Sequence, residues 1–225
     1  MKLKINVAID GPAGAGKSTI AKILAARFNL MYINTGSMYR AVTLYALENK
    51  IVPENISEIC SLLHNLDMHF QGDNLIVNAE DITDKLTIPY ISQNVSSYAA
   101  IPEVRERLVE LQRNIAKKYD VVMDGRDIGT VVLKDASFKF FLTAAPEERA
   151  KRRYEELLNK GIEVNYQDIL NDIIKRDYMD SHREVDPLRK AEDAIEIDSS
   201  FLSIEEVVDE MSKIINRAIS EGSEM

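Results

Sequence analysis

The 225-residue sequence has one cysteine, no tryptophan and three histidines. A lone thiol, Cys60, excludes an intramolecular disulfide, and a chain this long buries about two thirds to three quarters of its unfolded surface without one. The histidines, His64, His69 and His182, stand at no spacing that a metal site or a histidine relay would use. No run approaches the roughly 18 apolar residues of a membrane span. Asn6 and Asp10 interrupt the basic, then apolar N-terminus before a signal-peptide core is reached. Positive charge is also scarce, 28 Lys and Arg against 37 Asp and Glu, for a net charge of -9. That balance opposes nucleic acid backbone binding as a main function but permits small basic pockets for phosphates. The expectation is a cytoplasmic monomer with no nucleic acid and no membrane partner.

What the sequence does have is alternation. Five short apolar runs read as strands, Ile5 to Ile9, Met31 to Ile33, Val121 to Met123, Phe138 to Leu142 and Ala194 to Ile197, with helical patterns between them. Pro102 and Pro146, each followed by glutamate, suit first helical positions. From Pro102 the set Val104, Leu108, Leu111, Ile115 keeps helical spacing, and Ser203 with Glu206 forms a capping box before a closing helix. Strands without polar alternation, separated by helices, predict a parallel sheet covered on both faces. The fold class is α/β, a three-layer α/β/α sandwich on a five-stranded parallel sheet. One region departs from the alternation. Leu66 to Phe70 and Asn74 to Asn78 flank Gln71, Gly72 and Asp73, which suits a β-hairpin with a three-residue loop. Residues 62–100 are read as an insertion into a single domain whose core is 1–61 and 101–220, and the polar tail Ser220 to Met225 as frayed.

The strongest motif is Gly11, Pro12, Ala13, Gly14, Ala15, Gly16, Lys17, Ser18, followed by Thr19, which matches GxxxxGK[ST] between a strand and a helix. Glycines let successive backbone N–H groups curl around an anion, the helix adds its dipole, and Lys17 reaches the β and γ phosphates of ATP. Ser18 offers an oxygen to Mg²⁺. Asp124, closing the strand Val121 to Met123, suits the second Mg²⁺ contact through water. No catalytic glutamate follows Asp124 and no Asn-Lys-x-Asp stretch is present, which argues against motor and switch proteins.

Two further loops bring arginines to the same edge of such a sheet. Asn34 to Arg40 follows the second strand, with Thr35 placed to cap a helix carrying Tyr39 and Arg40; Asp124 to Thr130 follows the third and carries Arg126 and Asp127. A helix from about Tyr166 to His182 has a stripe, Ile169, Ile173, Arg176, Asp180, Arg183, that starts apolar and ends charged. It either emerges into solvent or faces a cleft holding a charged ligand, and Arg105 admits the same two readings. Arg149, Lys151, Arg152 and Arg153 form either a solvated basic face or a lid over a transferring phosphoryl group, with Gly161 as the helix stop. Together these describe a kinase whose acceptor is itself a phosphate, which needs no general base. A small-metabolite kinase using Asp127 as base, or a nucleotide-dependent binding module without turnover, stays open on the residues alone.

With these motifs the sequence resembles the bacterial cytidylate kinases, within the nucleoside monophosphate kinase family, from about Ile5 to Ala218. The resemblance rests on Gly11 to Ser18, on Asn34-Thr35-Gly36 with Tyr39-Arg40, on Asp124 to Thr130, and on Arg176-Asp177 with Asp180, Arg183 and Pro187-Leu188. It implies phosphorylation of CMP and dCMP by ATP with Mg²⁺, a monophosphate-binding insertion at 62–100 and a lid at 149–165. It also implies roles: Ser96, Arg105, Asp127 and Arg183 on cytosine, Asp180 on the sugar, and Arg40, Arg126 and Arg176 on phosphate, with Thr35 and Tyr39 in the same acceptor site. Lys17, Arg126, Arg176, Arg149, Arg152 and Arg153 would carry the transferring charge. A relative that phosphorylates UMP remains an alternative.

Overall fold

The computed structural model describes residues 4–222. Five parallel strands form the main sheet: β1 (Asn6–Asp10), β2 (Met31–Asn34), β6 (Val121–Gly125), β7 (Phe138–Thr143) and β8 (Ile195–Asp198), in the order β2-β6-β1-β7-β8. The central position of β1 follows from its sequence, because Val7, Ala8 and Ile9 are wholly buried and each face of a doubly covered strand must be apolar. Register pairs Asp10 of β1 with Gly125 of β6 and Asn34 of β2 with Asp124, so three strand ends and the loops beyond them share one edge.

Helix α1 (Lys17–Phe28) and the closing helix α8 (Ile204–Gly222) cover one face of the sheet. Ile20, Leu24, Val207, Val208, Met211 and Ile215 form a cluster there with Val7, Ile9 and Phe140. Each such side chain, fully removed from water, stabilises the fold by about 1.5–3 kcal/mol. Ser203 and Glu206 make the expected reciprocal cap, with Ser203 Oγ accepting the Glu206 N–H at 3.2 Å and the glutamate accepting the Ser203 N–H at 2.8 Å. On the other face lies α5 (Pro102–Lys118), with Val109 and Ala116 against Ile33 and Met123.

The segment before α5 packs as a separate apolar cluster. It contains α2 (Thr35–Glu48), α3 (Ile56–His64), the antiparallel strands β3 (Met68–Gln71), β4 (Asn74–Val77) and β5 (Glu80–Asp81), and α4 (Pro89–Ala99). Leu75, Ile82, Val95 and Tyr98 bury themselves with Met38, Val42 and Leu108. Helices α6 (Pro146–Asn159) and α7 (Tyr166–His182) form a hairpin held by Ala150, Leu157, Ile169 and Ile173.

Several details differ from the sequence reading. Gln71 pairs with Asn74, so the hairpin loop has two residues, Gly72 and Asp73, with Gly72 at φ +59°. Its third strand, β5, is too short to show a period. Asn34, not Thr35, caps α2 by accepting the Ser37 N–H at 3.0 Å, because Thr35 turns inward and donates its hydroxyl to the Asp124 carbonyl at 2.8 Å. The last helix runs through Gly222, so the first half of the tail expected to fray is helical, while Ser223, Glu224 and Met225 lie outside the described residues. Among the described residues no helix is long and apolar enough to cross a membrane.

Candidate active site

The loop from Gly11 to Gly16 joins β1 to α1 at the carboxyl edge of the sheet. Gly11 adopts φ +147°, and a Cβ there would stand 1.9 Å from the Leu142 carbonyl oxygen, so only glycine lets the loop leave the sheet beside β7. Gly16 caps α1 in the left-handed region at φ +91°, which no side chain tolerates without strain. Thr19 lies on the exposed side of α1, whereas Lys17 is buried and donates to the Pro12 carbonyl at 2.7 Å. Burial and then the charge of Arg126 push the Lys17 ammonium down, with Asp124 pulling the other way.

Asp124 is the last residue but one of β6, beside the loop. Its Oδ2 accepts the Ser18 hydroxyl at 2.9 Å and its Oδ1 accepts the Tyr32 hydroxyl, also at 2.9 Å. Tyr32 is an anchor the sequence reading missed; a tyrosine in the middle of a strand carries no motif. Among the described residues no group of three or more His, Cys, Asp or Glu could hold a metal ion. The Ser18 and Asp124 oxygens, adjacent and hard, fit Mg²⁺, which keeps most of its waters and takes one or two protein contacts.

Beyond Asp124 the arginines separate into two groups. In the first, Arg126 donates to Asp180 Oδ2 at 2.7 Å, Ser96 donates to Asp180 Oδ1 at 3.1 Å, and the Arg176 Nε stands 3.9 Å from the same carboxylate. Arg40 is half-buried on α2 and joins them electrostatically, since burial first, then the charge of Arg126 and then that of Arg40, lower the proton affinity of Arg176. Lys17, Arg40, Arg126 and Arg176 thus act on one another, offset in part by Asp124, Asp180, Asp10 and Asp177. An anion placed among them would relieve that repulsion.

In the second group charges balance. Arg105, almost wholly buried, forms an ion pair with Asp127 and donates to Asp186 at 3.1 Å. Arg183 stands 3.6 Å from the other Asp127 oxygen and donates its Nε to the Asp186 carbonyl at 2.7 Å. Burial pushes the Asp127 carboxyl up against the pull of Arg105 and Arg183. The Arg105 guanidinium lies 5.7 Å from the Tyr39 ring centroid, and the buried Tyr39 hydroxyl has no hydrogen-bond partner among the described residues. Asp186, at φ +49°, was not singled out in the sequence, where it reads as one more acid after a helix.

Arg149 and Arg152 are placed differently. Arg149 donates to the carbonyls of Ala144 and Ala13 at 2.8 and 3.0 Å and to Asp177 at 2.6 Å. Arg152 binds the carbonyl and hydroxyl of Ser199, whose own hydroxyl reaches the Thr143 carbonyl at 3.1 Å. Arg149 therefore braces the nucleotide loop from α6, Arg152 ties α6 to the segment after β8, and Arg153 pairs with Glu156 at 2.7 Å.

Burial opposes ionisation of Asp180, but Arg126 and Arg176 outweigh it and hold the carboxyl below the usual range. The depressed folded value means that this carboxylate stabilises the protein above the unfolded pKa of about 3.9, and the contribution is lost as pH falls through the folded value. Thermal midpoints recorded from about pH 6 to pH 3 are expected to fall less steeply in Asp180→Asn than in the parent. Parallel curves would remove this linkage.

A phosphate-binding loop at the carboxyl edge of a five-stranded parallel sheet, facing guanidiniums from three other elements, defines a P-loop kinase. The chain belongs to the cytidylate kinase family, whose model matches residues 7–217. It is 66% identical over 217 residues to a cytidylate kinase of Clostridium perfringens, covering 96% of this chain and 100% of that one. It is 63% identical to a cytidylate kinase of Clostridium acetobutylicum with the same coverage. Among solved structures, an uncharacterized protein of Eubacterium ventriosum shares the fold, with a TM-score of 0.53 at 19% identity over 96% of this chain and 99% of that one.

Proposed function

We propose that the protein transfers the γ-phosphoryl group of ATP to CMP or dCMP, giving ADP and the cytidine diphosphate. The observation that carries this reading is the juxtaposition of two unlike arginine groups. One is cationic and adjoins the nucleotide loop; the other is charge-balanced and built around Asp127. The first suits a phosphate, the second a polar base. An aspartate held by arginines accepts a hydrogen bond from the exocyclic amine of cytosine, where uracil presents an acceptor instead. Arg105 and Arg183 donate to the ring carbonyl and nitrogen, Ser96 completes the base contacts, and Asp180 serves the sugar. Residues 62–100 with α2 form the acceptor side, and 149–165 the lid.

The chemistry asks little of proton transfer. A nucleoside monophosphate dianion attacks without a general base, so catalysis is alignment and charge neutralisation. Both Asp127 oxygens already face guanidiniums, which disfavours its use as a base toward a hydroxyl. Lys17 and the loop amides hold the donor phosphates, Arg126 and Arg176 the acceptor phosphate and the transferring group, with Arg40 beside them and the lid arginines Arg149, Arg152 and Arg153 on the transferring charge. Ser18 and Asp124 hold Mg²⁺, which when bound neutralises charge on the donor phosphates. We place the enzyme as a monomer in the cytosol, consistent with its single thiol.

The test is ADP release with MgATP and equal concentrations of CMP, dCMP, UMP, AMP, GMP or shikimate. Turnover is expected with CMP and dCMP and to be at least about tenfold slower with the rest, the difference made by one unpaired buried group. Equal rates with UMP would overturn the cytosine assignment, and turnover with shikimate alone the phosphate-acceptor assignment.

A further inference from the structure

Asp10 is the last residue of β1 and immediately precedes the nucleotide loop, yet its side chain faces the other substrate's segment. Its Oδ1 accepts the Ile128 N–H and its Oδ2 the Gly129 N–H, each at 2.7 Å, and the residue is 3% exposed. These are the two peptide groups that follow Asp127. Asp127 itself has φ −146° and ψ 26°, outside both regular helix and strand, and opens a single π turn, Ile128–Val132. The first N–H groups of such a turn have no partner within it and must find one elsewhere. Arg105 and Arg183 grip the Asp127 carboxylate and the Val131 N–H reaches its carbonyl at 2.9 Å, while the two amides after it are held by the Asp10 carboxylate, at the end of a strand buried from Val7 onward.

We propose that Asp10 is a positioning residue for recognition of the acceptor base: by holding the Ile128 and Gly129 amides it sets the place from which Asp127 meets the amine of a cytosine nucleotide. The inference rests on the reading of Asp127 given above and deepens it. Burial favours a neutral side chain at position 10, but a neutral amide in the same geometry would turn a donor toward one of the two N–H groups. A carboxylate with one oxygen per N–H holds both, and so fixes the peptide planes on either side of Ile128.

The isosteric Asp10→Asn variant keeps one acceptor and turns an amide N–H₂ toward the other N–H. Steady-state kinetics of the parent, Asp10→Asn and Asp127→Asn, with CMP and with UMP at saturating MgATP, test the proposal. In Asp10→Asn the KM for CMP is expected to rise about tenfold and the preference for CMP over UMP to fall by a similar factor, as one charge-assisted contact would give. The KM for ATP is expected to stay within about twofold, which a general loosening of the loop would not allow. An unchanged preference in Asp10→Asn beside a lost preference in Asp127→Asn overturns the role of Asp10 alone. An unchanged preference in Asp127→Asn overturns the reading of Asp127 and this inference with it.

Should Asp10→Asn fail to fold, amide NMR of the parent protein decides. The Ile128 and Gly129 protons are expected far downfield, protected from exchange, and shifted by saturating CMP more than by saturating UMP. Equal responses to the two nucleotides overturn the proposal.

Discussion

Replacing Lys17 by alanine is expected to lower kcat by about three orders of magnitude, close to 4 kcal/mol of transition-state stabilisation, with the fold intact. The side chain is buried beneath the loop and spends one of its three donors on the Pro12 carbonyl. Its ammonium makes no second hydrogen bond among the described residues, and burial, then Arg126, disfavour its charge against the pull of Asp124. Removing it should therefore leave the thermal midpoint unchanged or raised while abolishing the mobile charge that follows the γ-phosphoryl group. Steady-state rates at saturating MgATP and CMP, with a melting curve for each variant, check both halves. Near-normal turnover would take Lys17 out of the mechanism.

Arg176→Ala is expected to reduce kcat/KM for CMP by about two to three orders of magnitude, and here too stability should not suffer. The buried Nε of Arg176 has no hydrogen-bond partner among the described residues and is 3.9 Å from a carboxylate already bound by Arg126. Burial first, and then Arg126 and Arg40, lower its pKa from the usual guanidinium range to about 9. Because the folded protein releases this proton more easily than the unfolded chain, the site costs stability at neutral pH, and the cost shrinks as pH rises through about 9. The alanine variant should melt at the same temperature as the parent or higher near neutrality. A large drop in melting temperature together with unchanged kinetics would make Arg176 a structural residue and leave the acceptor phosphate to Arg126 and Arg40.

The parts of this molecule that depend on local pattern were legible before its coordinates. Val7 to Ile9 and Val121 to Met123 are apolar on both faces, which only a doubly covered sheet permits. The nucleotide loop declares itself because glycine spacing and backbone geometry are the same requirement. The Ile169, Ile173, Arg176, Asp180 stripe likewise turned from core to site along a single helical face. What escaped notice depends on contacts far apart in sequence. Asp10 and Ile128 are 118 residues apart, and Tyr32 and Asp124 are 92 apart. An aspartate at a strand end looks the same whether it faces water, a metal or two amides. The same limit applies to α6, where Arg149, Arg152 and Arg153 look alike as a basic face. The structure separates them by the backbone carbonyls that Arg149 and Arg152 find.

One turn of α7 carries both Asp177 and Asp180 on the same side. Asp177 accepts from Arg149, whose guanidinium also holds the Ala13 carbonyl of the nucleotide loop; Asp180 accepts from Arg126 and Ser96 on the acceptor side. A helix is stiff over a single turn, so these two carboxylates cannot move independently. Any tilt of α7 therefore works as a lever with two short arms, shifting the Arg149 brace on the nucleotide loop and the Arg126 and Ser96 contacts together.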